Sequence, residues 1–285
     1  MEPTTVIRQE AQRLAHVLAA TDPAAPVPTC PAWTAGDLLW HLTEVHEFWS
    51  RILATGALTD EDAEALEGAG APRPADLPEL LRRREAATAQ LVEQLERRAD
   101  AEPAWSWDRT AQDVGFTRRM QTHEATMHRV DAELAAQRPV TDPTPQIAAA
   151  GIAHGIDVMW GVEHRWASGQ RAVTPVALVV LRRPDGTEDH LELSRLEARP
   201  GGEEPDEYAG HITARRAPAQ DLRGTSALSE LPRAVVDGSA PALYLWCWGR
   251  SPALEALASG RQEVRISGDA EAREALEKLL AQGLS

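Results

Sequence analysis

The sequence is short of several things at once. Among 285 residues there are two cysteines, Cys30 and Cys247, too few for a disulfide scaffold and too far apart for a cysteine-based metal knuckle. Lys278 is the only lysine, so every other basic side chain except histidine is arginine; with abundant alanine, this matches the codon bias of a GC-rich bacterial genome. Cationic charge as a whole is scarce, 29 Lys+Arg against 44 Asp+Glu, for a formal net charge of −15. Duplex nucleic acid and anionic membrane surfaces recruit clustered cationic side chains, so neither is a main partner. No run approaches the roughly 18 uninterrupted apolar residues of a membrane span. The opening MEPTTVIRQEAQRLAHVL has early acids and no basic segment leading into an apolar block, which argues against a signal peptide and for a cytoplasmic location.

What is present is ordinary for a globular protein: 43% hydrophobic and 26% charged residues, which excludes wholesale disorder. The length suggests about two domains. Residues 1–137 read as helical. A first helix runs from Thr5 to Ala20 and ends at Asp22-Pro23. The proline-rich PAAPVPTCPAW leads to Thr34 and Asp37, spaced as a capping box in which hydroxyl and carboxylate satisfy orphan N–H groups. A second helix, AGDLLWHLTEVHEFWSRIL, follows. Residues 55–75 read as a loop with room for one short helix over Glu61–Leu66. A third helix spans Ala75–Arg98, and a fourth, FTRRMQTHEATMHRVDAELAAQ, is expected to be capped by Thr117. Four such helices form a bundle most economically.

Pro139, Pro143 and Pro145 make residues 138–146 the linker, dividing the chain into a bundle over 1–140 and a second domain over 141–285. Beyond it the period changes. PVALVVL and DHLELSR flank the turn signal Pro184-Asp185-Gly186 and read as a hairpin, EYAGHITARR and QEVRIS as further strands. Helical patterns at 147–167, 220–232, 239–249 and 270–281 alternate with them, so the second domain reads as α+β.

The residues that suggest chemistry are His41 on the second helix, and Glu124 and His128 on the fourth. Four residues apart, Glu124 and His128 project from one face, a face shared with Met120, Met127 and Leu134. A carboxylate on an apolar stripe is costly to bury uncompensated. His41, flanked at helical spacing by Leu38, Val45 and Phe48, also points inward. Two imidazoles and a carboxylate from facing helices make a known zinc set with an open coordination position, although other divalent metals fit it. Hydrogen-bonded core histidines and a mutually bonded Glu–His pair are the competing reading. His123 and His128 are five apart, so the metalloprotease HExxH pattern is absent. Asp131 suits an outer acceptor for a histidine N–H, while His16, His46 and His123 read as surface or packing residues. Trp105, Trp107, Trp246 and Trp248 suit either a substrate wall or packing. Arg118, Arg119 and Arg250 are candidates for a carboxylate.

The runs VPTCPAWTAGDLLWHLTEVHEFW, TRRMQTHEATMHRVDAE and GSAPALYLWCWGR together resemble the mycothiol-dependent maleylpyruvate isomerase family. The resemblance implies a DinB-like metal-binding four-helix bundle followed by a smaller α+β domain similar to sterol carrier proteins. It implies a divalent metal, usually zinc, on His41, Glu124 and His128, with mycothiol as the thiol cosubstrate and a small electrophile as substrate. It also makes Arg250 the favoured catalytic arginine. Thiol addition with isomerisation and thiol transfer are both compatible with it. A metal-containing binding or regulatory protein, and a metal-dependent hydrolase acting through water, are the alternatives.

Overall fold

The computed structural model describes residues 2–161, 171–198, 208–217 and 227–283. They fall into two compact units, Met1–Asp142 with Glu255–Gly260, and Pro143–Leu254 with Arg261–Ser285. No helix among the described residues is long and apolar enough to cross a membrane.

The first unit is a bundle of four long helices, α1 (Pro3–Leu18), α2 (Ala35–Thr55), α4 (Leu77–Glu96) and α5 (Val114–Ala135), with a short α3 (Asp60–Glu67) between. Helix α2 packs on α4, and α1 on α5. The apolar face expected of each helix is what lies inside. Leu14, Val17 and Leu18 of α1 meet Leu38, Leu39 and Leu42 of α2 and Leu80 of α4 in one cluster. The start of α2 is the capping box read from Thr34 and Asp37: the Asp37 N–H donates to Thr34 Oγ1 at 3.2 Å, and Asp37 Oδ2 accepts from the Thr34 N–H at 2.9 Å. Helix α5 starts earlier than expected. Asp113, not Thr117, is its cap, its carboxylate accepting from the Phe116 N–H at 2.7 Å. Thr117 is one turn inside and fully buried.

Near the C-terminal end of α5 lies a buried ionic knot. The Arg129 guanidinium, 1% exposed, donates to Glu10 at 2.6 Å, to Glu133 at 2.8 Å and to the Thr141 carbonyl at 2.7 Å. Glu133, wholly buried, also accepts from Arg13 at 2.9 Å and from the Thr141 backbone and hydroxyl. Thus α1, α5 and the chain leaving α5 are joined by charge-assisted hydrogen bonds. The segment 255–260 belongs to this unit. Val140 forms an isolated parallel bridge with Leu257, and Ser259 holds the Asp142 carboxylate through its N–H at 2.9 Å and its hydroxyl at 2.5 Å.

The second unit holds helix α6 (Pro145–His154), strands β1 (Val173–Arg182), β2 (Glu188–Leu196), β3 (Ile212–Arg216) and β4 (Arg233–Asp237), helix α7 (Ala240–Cys247), strand β5 (Arg265–Gly268) and helix α8 (Ala270–Ala281). The sheet order is β3-β2-β1-β4-β5, antiparallel except for the β1–β4 pair. The β1–β2 hairpin turns at Pro184-Asp185-Gly186 as expected. Strand β4 had no counterpart among the sequence expectations, and the helical pattern at 220–232 lies mostly outside the described residues. Helix α6 continues as one π-turn over Gly155–Met159, and residues 162–167 of the 147–167 pattern are also outside them. Gly151 on α6 faces the Tyr244 ring of α7 so closely that any Cβ there would overlap it; only glycine permits that approach.

Candidate metal centre

The bundle brings His41, Glu124 and His128 together. One ligand atom from each can be chosen so that all lie within 4.8 Å of one another. Nε2 of His41 and Nε2 of His128 each stand 3.0 Å from the same oxygen, Glu124 Oε1. The side chains are graded in exposure, 30% for His41, 15% for Glu124 and 7% for His128, so a small molecule reaches the trio from the His41 side. The Trp33 ring lies beside that side, its centroid 4.5 Å from the His41 ring and 5.8 Å from that of His128.

Behind the trio, Asp131 Oδ2 stands 2.8 Å from His128 Nδ1, and Asp131 Oδ1 accepts from the Thr29 hydroxyl at 2.5 Å. Asp131 is therefore the acceptor for a histidine N–H that its spacing suggested. Thr29 and Trp33 were not singled out in the sequence. Both sit in the irregular proline-rich approach to α2, where no periodicity marks which side chains turn inward.

The electrostatics follow from this stack. Burial opposes the charged form of His128, but the Glu124 and Asp131 carboxylates outweigh it and raise its pKa to about 9. Burial likewise opposes the Glu124 carboxylate, yet the His128 charge and the hydrogen bonds of both histidines hold it well below the usual range. With Nδ1–H given to Asp131, a neutral His128 aims its Nε2 lone pair at a carboxylate oxygen. Two facing electron pairs at 3.0 Å require a positive charge between or on them. A proton on Nε2 meets that need, and so does a divalent cation taking both imidazoles and the carboxylate. Donor types, convergence and the outer carboxylate all fit such an ion.

His46 is the buried histidine of α2, 0% exposed, turned about 140° from His41 around the helix. Its Nδ1 lies 2.9 Å from Thr88 Oγ1, whose own hydroxyl donates to the Arg84 carbonyl; Nδ1 is thus the protonated nitrogen. Burial lowers its pKa to about 3. His123 is buried and outside the trio.

The tryptophans pack. Trp105 stacks on Trp49 with centroids 5.7 Å apart and donates its Nε1–H to Asp60, and Trp107 meets Phe116 edge-on. In the second unit Trp246 meets Trp160, and Trp248 donates to the Gly151 carbonyl at 2.9 Å. Arg118 is committed to the Leu95 and Arg98 carbonyls and to Asp100. Arg119 is exposed beside Asp113 at 4.0 Å. Arg250 belongs to the second unit, half-buried, with Nη1 donating to the Trp248 carbonyl at 2.7 Å.

A helical bundle that converges two histidines and a glutamate, in one chain with an α+β unit, defines a class of two-domain proteins with a metal-type site. Residues 5–133 match the family model described as mycothiol maleylpyruvate isomerase N-terminal domain, and residues 146–275 match that described as MDMPI C-terminal domain. The chain belongs to the mycothiol-dependent maleylpyruvate isomerase family. Among solved structures, a crystal structure of the mycothiol-dependent maleylpyruvate isomerase superposes with a TM-score of 0.55 at 15% identity, covering 92% of this chain and 91% of that one. A single-residue variant of it gives 0.53 at 15% identity, covering 88% and 90%. At that identity the likeness establishes the shared fold. A search of curated proteins returns no match.

Proposed function

We propose that this chain is a metal-dependent enzyme that activates a low-molecular-weight thiol, mycothiol or a close analogue, for addition to a small electrophile such as maleylpyruvate. The observation that carries the reading is the approach of two imidazole Nε2 atoms to one carboxylate oxygen at 3.0 Å, backed by a carboxylate on His128 Nδ1. Family membership supports the thiol and the isomerisation.

His41, Glu124 and His128 would hold a divalent ion, zinc being the ion such a set commonly takes. When bound, that ion supplies the positive charge that lets a thiol persist as thiolate at neutral pH. Asp131, fixed by Thr29, sets the His128 tautomer and ring angle. Trp33 excludes water from one side of the trio. The external thiolate adds to the activated double bond, rotation follows about the new single bond, and elimination returns the thiol with the trans product. No atom is gained or lost, so the thiol is reused. Arg250 orients an anionic substrate.

The test is turnover of maleylpyruvate by purified protein with thiol and metal supplied or withheld separately. Isomerisation only when both are present is the expected result. Turnover without thiol would sink the reading and favour hydrolysis, and a product that retains the thiol would replace isomerisation by transfer.

A further inference from the structure

Beside the trio, helix α2 borders a cavity of about 540 Å³. Counting 100° per residue from His41, Glu44, Val45 and Phe48 lie within about 60° of it around α2, and all three line the cavity. Its outer wall is the segment around Gly68–Arg73, fastened by Arg83. That guanidinium donates to the Ala71 and Pro72 carbonyls, each at 2.8 Å, and grips both oxygens of Glu47 at 2.6 and 2.8 Å. It also lies 4.8 Å from the centroid of the Trp40 ring. The wall is therefore built, with Arg83 fully engaged in holding it.

Arg51, also in the lining, is situated differently. Its closest carboxylate is Glu47 at 3.6 Å, beyond hydrogen-bond length and already taken by Arg83. Its Nε–H is buried without a hydrogen-bond partner. Gly70 stands over it: a Cβ built there would lie 3.7 Å from Arg51 Nη2, so the absent side chain leaves the space in front of the guanidinium open. Two guanidinium groups thus share one carboxylate, and the second, in the lining of a cavity of ligand size, is held by it only loosely and keeps an unpaired Nε–H. Phe48 and Val45 give it an apolar side, while Glu44 and Glu67 in the lining disfavour a second negative charge on any occupant.

We infer that this cavity is a binding site for a small monocarboxylate with a flat apolar body, its carboxylate received by Arg51 and its body lying against Phe48 and Val45. An arginine fork that its own carboxylate does not close suits a carboxylate ligand in particular, because two parallel N–H···O bonds form at once. The inference stands apart from the thiol reading, since it needs neither metal nor thiol.

The experiment titrates full-length protein with benzoate, benzamide and benzylamine, reading heat or tryptophan fluorescence, in wild type and in Arg51→Gln, Gly70→Val and His41→Ala. Saturable benzoate binding is expected in wild type and in His41→Ala. Arg51→Gln should weaken it by about tenfold or more, the scale of a lost charge-assisted pair. Gly70→Val, which keeps the arginine and fills the space before it, should weaken it similarly while circular dichroism stays unchanged. Benzamide or benzylamine binding as tightly as benzoate would overturn the inference, as would wild-type benzoate affinity in either cavity variant or no saturable binding at all. Binding lost in His41→Ala alone would place benzoate at the trio and overturn it equally.

Discussion

Asp131 holds the Nδ1 side of His128 at 2.8 Å while the opposite nitrogen of that ring faces Glu124 at 3.0 Å. The imidazole is therefore fixed at both ends, and only one of its nitrogens is free to serve an ion. Asp131→Asn keeps the shape but weakens the acceptor. Metal affinity, read by competition with a chromophoric chelator, should fall by about 10–100-fold. Unchanged affinity would remove Asp131 from the site.

Arg250→Ala should raise KM for an anionic substrate and leave metal content, measured by elemental analysis, at the wild-type level. A neutral substrate analogue should be processed as before. If KM for the anion does not move, Arg250 is structural, its Nη1 donating to the Trp248 carbonyl.

The reacting sulfur should be external. Cys247 is buried, and burial, reinforced by Asp189, pushes its thiol well above the ordinary range; such a thiol is inert. Cys30 is half-buried in the loop before α2. In the folded protein Cys247 should resist alkylation at pH 8 until denaturant is added. The Cys30→Ser/Cys247→Ser variant should retain thiol-dependent turnover, and its inactivity when folded and metal-replete would contradict an external nucleophile.

Glu133 lies wholly inside the ionic knot, where Arg129, Arg13 and Thr141 all converge on it. Glu133→Ala leaves the Arg129 charge without its buried partner, so unfolding free energy by urea titration should drop by about 3–5 kcal/mol. Replacing Arg13, which is partly exposed, should cost well under half of that.

His46 gives the fold an acid sensitivity. Burial dominates its depressed pKa of about 3, with Arg84, His128 and His41 adding to the effect and Glu124 opposing it. The unfolded chain takes up this proton near pH 6.5 and the native chain does not, so stability is lost as pH falls between those two values. His46→Gln removes that contribution. Across pH 6 to 4 the wild type should lose stability more steeply than the variant, by about 1.4 kcal/mol per pH unit. Parallel slopes would mean that His46 is not the group responsible.

Local signals were legible in the sequence and distant ones were not. Thr34 and Asp37 announced the start of α2 because a capping box is complete within four residues. Glu124 and His128 announced a shared face because helical spacing is a local rule, and His41 joined them through its apolar neighbours. Asp113 was passed over in favour of Thr117, since both hydroxyl and carboxylate caps precede apolar residues and only the geometry distinguishes them. Strand β4 is five residues long, and its place beside β1, parallel and distant in sequence, comes from pairing that no local pattern encodes. The unpaired Nε–H of Arg51 was equally invisible. It depends on Arg83 reaching Glu47 from another helix first.

The return of residues 255–260 to the bundle has a consequence for biosynthesis. The N-terminal unit cannot be completed when its last helix leaves the ribosome, because the stretch that pairs with Val140 and Asp142 is translated more than a hundred residues later. At ordinary elongation rates that delay is on the order of ten seconds. During it the nascent bundle presents an unfinished edge, and a gene fragment stopped at residue 142 would preserve that condition permanently.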